Sequence, residues 1–165
     1  MSEIDGQHIT VNGRMMRFEK QNPAAQGFHR RCFACGPENP DGLQVRCVAS
    51  GNTNSATITI DDRFQGYDNI AQGGIVATIL DTAMVQLLRD LFGGNPMTAR
   101  LDVRFLNETP LRTSLTVGAR LTRSRADTHW VDASIAHGTV RCASAQGVFK
   151  IMADAEQPHH RTAKQ

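Results

Sequence analysis

No stretch of the chain approaches the roughly 20 consecutive apolar residues that a membrane-crossing helix needs, so no membrane partner is expected. The amino terminus, Met-Ser-Glu-Ile-Asp, has neither the basic segment nor the apolar run of an export signal, and a cytoplasmic address is the expectation. Internal repeats and low-complexity blocks are absent. Charge of one sign is also lacking. Eighteen Lys and Arg stand against sixteen Asp and Glu, and the resulting net charge of +2 gives no bulk electrostatic case for nucleic acid as a partner. Any anion must therefore be held by a local site. Cysteine is scarce. Cys32, Cys35, Cys47 and Cys142, without an export signal, are expected to be reduced thiols. His29, Cys32 and Cys35 have the spacing His-x-x-Cys-x-x-Cys, but no second cysteine pair follows at zinc-site spacing, so no metal is expected. The pair reads as small buried hydrophobes in a loop, with a redox pair as the other reading.

What is present suits one domain. A chain of 165 residues buries roughly 70% of its unfolded surface, and 40% hydrophobic with 21% charged residues is ordinary for a globular core. Residues 1–28 are polar and punctuated by Gly6, Gly13, Pro23 and Gly27, which suggests a lead-in segment. Residues 154–165 show no periodicity and are expected to be a mobile tail. The domain proper is expected over 29–153.

Within it, alternation of period two predicts strands. Leu43, Val45 and Cys47 share one side of a first strand, and Ala56, Ile58 and Ile60 one side of a second. Leu101, Val103 and Phe105 oppose Asp102 and Arg104; Leu115, Val117, Ala119 and Leu121 oppose Ser114, Thr116, Arg120 and Thr122; Val131, Ala133 and Ile135 alternate with Asp132 and Ser134. A last strand is expected over 140–152, with Gly147 a bulge or a point of close packing. One segment, 73 to about 91, reads as a long helix closed by Phe92-Gly93-Gly94. Its apolar residues, Ile75, Val76, Ile79, Leu80, Met84, Leu87, Leu88 and Leu91, cover most of the circumference, so the helix must be enclosed. Two strands, a helix and then four strands joined by short turns such as Arg125-Ala126-Asp127 describe an α+β domain. One curved antiparallel sheet of five to six strands wraps one central helix, which is the hotdog arrangement.

Asp81 is the outlier in that helix, because Ala77, Thr78, Met84 and Val85 one turn away are mainly apolar. For an arbitrary helical Asp, exposure to solvent is the commoner explanation. A carboxylate partly desolvated at a subunit seam would instead have a raised pKa and could act as base or nucleophile. Gly73 and Gly74 open the same helix, where N–H groups lack intrahelical partners and the dipole favours negative charge, so a developing oxyanion would fit there. Two glycines also let a loop enter a helix tightly packed, and spacing alone does not separate the two explanations. Eight residues of rise put Gly73 about 12 Å from Asp81, too far for both to address one carbonyl from one chain. If both act, an antiparallel dimer with its helices side by side must supply one from each subunit.

The stretch Phe64-Gln65-Gly66-Tyr67-Asp68-Asn69-Ile70-Ala71-Gln72-Gly73-Gly74-Ile75-Val76-Ala77-Thr78-Ile79-Leu80-Asp81 resembles the signature of PaaI-like hotdog acyl-CoA thioesterases. Cys32-Phe33-Ala34-Cys35-Gly36-Pro37-Glu38-Asn39-Pro40-Asp41-Gly42-Leu43 resembles the lead-in many of these proteins place before the first strand. Thr98-Ala99-Arg100-Leu101-Asp102-Val103-Arg104-Phe105-Leu106 resembles the strand after the helix. The resemblance spans about 32–152. It implies Asp81 as base or nucleophile, the Gly73 amide as oxyanion donor, Thr98 as a hydroxyl near the attacking water and Gln65 as a polar partner near the thioester. Gln72 departs from the family, which usually places histidine there. Glutamine donates and accepts hydrogen bonds but cannot shuttle a proton near neutral pH, so a hotdog dehydratase is disfavoured.

The expected activity is hydrolysis of an acyl-CoA thioester by a homo-oligomer, dimer or tetramer, with no metal or redox cofactor. Gly74 would join the substrate contacts, and Arg100, Arg104 and Arg123 are candidates to hold CoA phosphates because guanidinium groups match phosphate geometry. The competing class is a non-catalytic acyl-CoA-binding or regulatory hotdog protein, which the altered position 72 makes credible.

Overall fold

Alternating burial runs along most of the long strands of the computed structural model, which describes residues 7–11, 14–18 and 30–152. The expected tail 154–165 and most of the lead-in 1–28 lie outside the described residues. Within the lead-in, β1 (Gln7–Val11) and β2 (Arg14–Phe18) pair antiparallel as a two-stranded ribbon. The main sheet has six antiparallel strands in the order β3-β4-β6-β7-β8-β5. These are β3 (Val48–Ser50), β4 (Thr53–Ile58), β5 (Asn95–Phe105), β6 (Leu115–Arg125), β7 (Thr128–His137) and β8 (Val140–Met152). One helix, α1 (Gly73–Phe92), lies against it. This is the hotdog fold. Among the described residues no helix is long and apolar enough to cross a membrane.

The helix is central because its sequence leaves no other option. Val76, Ile79, Leu80, Ala83, Met84, Leu87 and Leu88 are all buried, and they meet Leu115, Val117, Val131, Ile135 and Phe149 from the inner sheet face. Asn54 adds a polar tie inside that contact. Its side-chain amide donates to the Ala83 carbonyl at 2.8 Å, and its carbonyl accepts from Ala119 N–H at 3.0 Å, so strand and helix share one buried group. Gly93 ends the helix as expected, with φ of 69° and its N–H on the Arg89 carbonyl at 2.9 Å. Gly147 is a point of close packing, since a Cβ there would sit 2.6 Å from Met84 Sδ.

The expected first strand is corrected. Leu43, Val45 and Cys47 do alternate inward, but among the described residues they pair with no strand, and β3 is three residues long. A side chain takes the ladder's place: Gln86 on α1 donates to the Val45 carbonyl at 2.8 Å and accepts from Cys47 N–H at 2.8 Å. An amide side chain offers the same donor and acceptor as a peptide group, so the segment satisfies its backbone without a partner strand.

Candidate active site

Asp81 lies halfway along α1, half-buried, on the side that faces β5. Thr98 Oγ1 donates to Asp81 Oδ1 at 2.7 Å. A β-bulge makes this contact possible. The register of β5 against β8 runs Thr98 to Phe149 and then Arg100 to Val148, leaving Ala99 over. Without that extra residue Thr98 would share a face with Arg100; with it, Thr98 shares the inner face with Leu101 and Val103. Burial pushes the Asp81 carboxyl up from the ordinary carboxylate range, and the Thr98 hydrogen bond partly opposes this by favouring the ionised form.

The start of α1 is built by Gln72. Its backbone is extended, and its side-chain oxygen accepts from Ile75 N–H at 3.1 Å, capping the first turn. Gly74 is what lets that side chain fold over the helix, because a Cβ there would sit 2.8 Å from Gln72 Oε1. Gln72 also accepts Ile75 and Val76 N–H on its carbonyl. Among the described residues no hydrogen bond reaches the N–H of Gly73 or Gly74, which leaves two donors at the positive end of the helix. The Phe105 ring rests beside Gly73, 3.5 Å from where its Cβ would be.

Gln65 sits in the loop leading to α1, and its side-chain oxygen accepts Asn69 N–H at 3.1 Å. That loop is latched by a residue the sequence did not flag. Arg112, in the connection after β5, donates from its side chain to both Asp62 and Asn69. Its own N–H reaches the Ile60 carbonyl at 3.0 Å, and Leu111 N–H reaches Asn69 O at 3.0 Å. No local pattern announces such a latch, because its partners lie about forty to fifty positions away. His129, which formed no constellation in the sequence, is buried against the Phe92 ring at 4.3 Å and bonds Ser124 Oγ at 2.9 Å, supporting the far end of α1.

The three arginines do not join Asp81 within one protomer. Arg100 and Arg104 alternate with the inward Leu101 and Val103, so they stand on the face away from α1, and Arg100 pairs there with Asp102 at 2.8 Å. Arg123 is turned to the same outer face, stacked 4.8 Å over Trp130, whose neighbours His129 and Val131 are both buried. Of the candidate residues, Asp81, Thr98, the Gly73–Gly74 turn and Gln72 therefore lie along α1, with Gln65 in the loop that leads into it.

The fold recurs in known structures. No protein-family model matches the chain, and no curated protein matches it. Among solved structures, a thioesterase superfamily protein superposes with a TM-score of 0.68 and 26% identity, over 77% of this chain and 63% of that one. The chain thus spans less than two thirds of that protein's length. The PaaI protein of the phenylacetic acid degradation operon of E. coli gives a TM-score of 0.61 at 17% identity, over 67% of this chain and 81% of that one. A hypothetical thioesterase protein of Streptococcus pneumoniae TIGR4, solved with coenzyme A, gives 0.61 at 16% identity, over 66% and 88%. The resemblance to PaaI-like hotdog thioesterases read from residues 64–81 is thus matched by the fold.

Proposed function

We propose that the chain is an acyl-CoA thioesterase in which Asp81 drives hydrolysis. The observation that carries this reading is a half-buried carboxylate held by Thr98 on the helix flank, at the place where the sequence resembles the thioesterase signature. A neighbour of the same fold was solved with coenzyme A, which supports the substrate class. Asp81 takes a proton from water as the water oxygen attacks the thioester carbon. The oxyanion that forms is met by the Gly73 N–H, and its collapse breaks the C–S bond. The departing CoA sulfur receives the proton from Asp81. Direct attack by the carboxylate, followed by hydrolysis of the anhydride, uses the same groups.

Two chains are needed to assemble this site, since Gly73 and Asp81 of one helix are about 12 Å apart. Strand β5 supports a dimer. It ends the sheet, pairs only with β8 among the described strands, and leaves Met97 58%, Phe105 57% and Leu106 51% exposed along or just past it. A long, unpaired edge strand of this kind invites a partner, and pairing two copies there would lay the flanks of α1 side by side.

The test is CoA release across short, medium, long and aromatic acyl-CoA substrates. Asp81→Asn should reduce turnover by at least about a hundredfold; unchanged turnover removes Asp81 from the mechanism. If Arg100, Arg104 and Arg123 reach the CoA phosphates of a neighbouring protomer's site, alanine at each raises KM with kcat unchanged. Saturable binding with no turnover on any substrate would favour the non-catalytic alternative.

A further inference from the structure

Away from Asp81, Cys32-Phe33-Ala34-Cys35-Gly36 folds into one tight turn. Gly36 N–H donates to the Cys32 carbonyl at 2.9 Å, an i to i+4 bond that gives the segment a helical turn. Residues three apart in such a turn bring their Cβ atoms to about 5–6 Å, so Cys32 and Cys35 face each other. Glycine is required to close it, because a Cβ at position 36 would sit 2.4 Å from Cys32 N and 2.6 Å from Arg30 O. The turn is fixed from behind: Phe33 O accepts Leu43 N–H and Ala34 O accepts Val45 N–H, both at 2.9 Å.

Inside the turn the two sulfurs are unequal. Ala34 N–H donates to Cys32 Sγ at 3.4 Å, and the backbone N–H groups of Cys35 and Gly36 and the Cys35 thiol, gathered by the turn, add to the field that favours the Cys32 thiolate. Burial works against ionisation of Cys32, but these donors outweigh it and hold the thiol below its ordinary range. Cys35 goes the other way. Burial first, then the hydrogen bond it gives to Cys32 and the charge there, push it to about 11. Both cysteines are half-buried, so the pair is within reach of solvent. The remaining thiols do not compete: burial and then Asp90 and Cys35 push Cys47 to about 12, and Cys142 is fully buried. Among the described residues no three His, Cys, Asp or Glu side chains converge as a metal would require.

We propose that Cys32 and Cys35 form a thiol–disulfide exchange site that takes small-molecule disulfides, with Cys32 the attacking and Cys35 the resolving residue. In the first step the Cys32 thiolate attacks one sulfur of the disulfide RSSR, forming a mixed disulfide and releasing RS⁻. In the second, Cys35 loses its proton and attacks Cys32 Sγ, expelling a second RS⁻. The two protons of the cysteine pair end on the two leaving thiols, so two RSH are produced, RSSR is reduced and the cysteine pair is oxidised. Reduction by excess thiol runs the same steps backwards. The exchange does not depend on Asp81 or on thioester hydrolysis.

Oxidised glutathione is the probe. Reduced protein is incubated with it, quenched with acid and weighed intact by mass spectrometry. The wild type should lose two hydrogens and retain no glutathione, and Cys35→Ser should retain one glutathione, mapped to Cys32. Cys32→Ser should react at least about tenfold more slowly, having lost the low-pKa thiol. Glutathione trapped at equal rates in both variants, or trapped mainly on Cys47, overturns the assignment, as does a wild type that keeps both thiols free under these conditions. Should Cys35→Ser lose its fold by circular dichroism, Cys35→Ala gives the same readout, and on the wild type alone peptide mapping after partial oxidation must show the Cys32–Cys35 bond.

Discussion

Thr98 on β5 and Asp81 on α1 meet at 2.7 Å because Ala99 is bulged out of the ladder. The bond ties the candidate catalytic acid to the strand at the edge of the sheet. It also sets the acid's proton affinity, since a hydroxyl donating to a carboxylate favours the charged form. If ionised Asp81 is the base, CoA release falls on the acid side as the carboxyl takes up its proton. Thr98→Val removes the hydrogen bond that opposes burial, so the acid limb of kcat/KM should move to higher pH. A limb that stays in place would show that the titration seen belongs to another group.

Stability should move opposite to activity at this residue. Asp81 has a folded pKa raised above its unfolded value. Its contribution to stability is therefore fully present below the unfolded pKa and is lost as pH rises through the folded one. At neutral pH the ionised, half-buried carboxylate weakens the fold, and Asp81→Asn should raise Tm there. Under acid conditions, where the carboxyl is already protonated, the two proteins should melt together. Asp90, which burial lifts to about 6, obeys the same sign. A Tm difference for Asp81→Asn that is independent of pH would contradict this account.

Much of the fold could be read from residue patterns because burial on a sheet face has a period of two and α1 is apolar on nearly every side. Asp81 was legible for the same reason: it breaks an apolar run. The bulges at Ala99 and Thr122 were not legible, since each changes the parity of a strand by one residue without changing its composition. That parity decides where the arginines point. Arg100 and Arg104 have the same parity as Thr98 along the sequence, and the bulge puts them on the face opposite to it. Leu43 to Cys47 carried a true inward alternation, but its hydrogen bonds go to the Phe33 and Ala34 carbonyls of a turn and to the side chain of Gln86, which strand patterns do not encode.

Gln72 was read as a lost proton shuttle, and its place in the fold gives it a structural task. Glutamine is not among the preferred N-caps, yet its oxygen reaches Ile75 N–H. Gln72→Ala should cost about 1 kcal/mol, lowering Tm by roughly 2–4 °C for a chain of this size. Gln72→Ser, a preferred cap, should restore most of that loss. Any defect in CoA release that persists in Gln72→Ser then belongs to the amide's contact with substrate, and a Tm unchanged in Gln72→Ala would show that the cap contributes nothing.

Packing under α1 is tight at Gly147, where an added Cβ would lie 2.4 Å from Phe149 Cε2 and 2.6 Å from Met84 Sδ. Met84 and Phe149 are both fully buried, so neither can move into solvent. Gly147→Ala should cost about 1–3 kcal/mol through overpacking. Met84→Ala alone should cost about 2–5 kcal/mol by leaving a cavity. The added methyl would enter part of that cavity, so the double variant should be more stable than the sum of the single losses allows, by at least about 0.5 kcal/mol. Urea titrations of the four proteins measure this coupling, and strictly additive losses would mean that helix and sheet do not press against each other at this point.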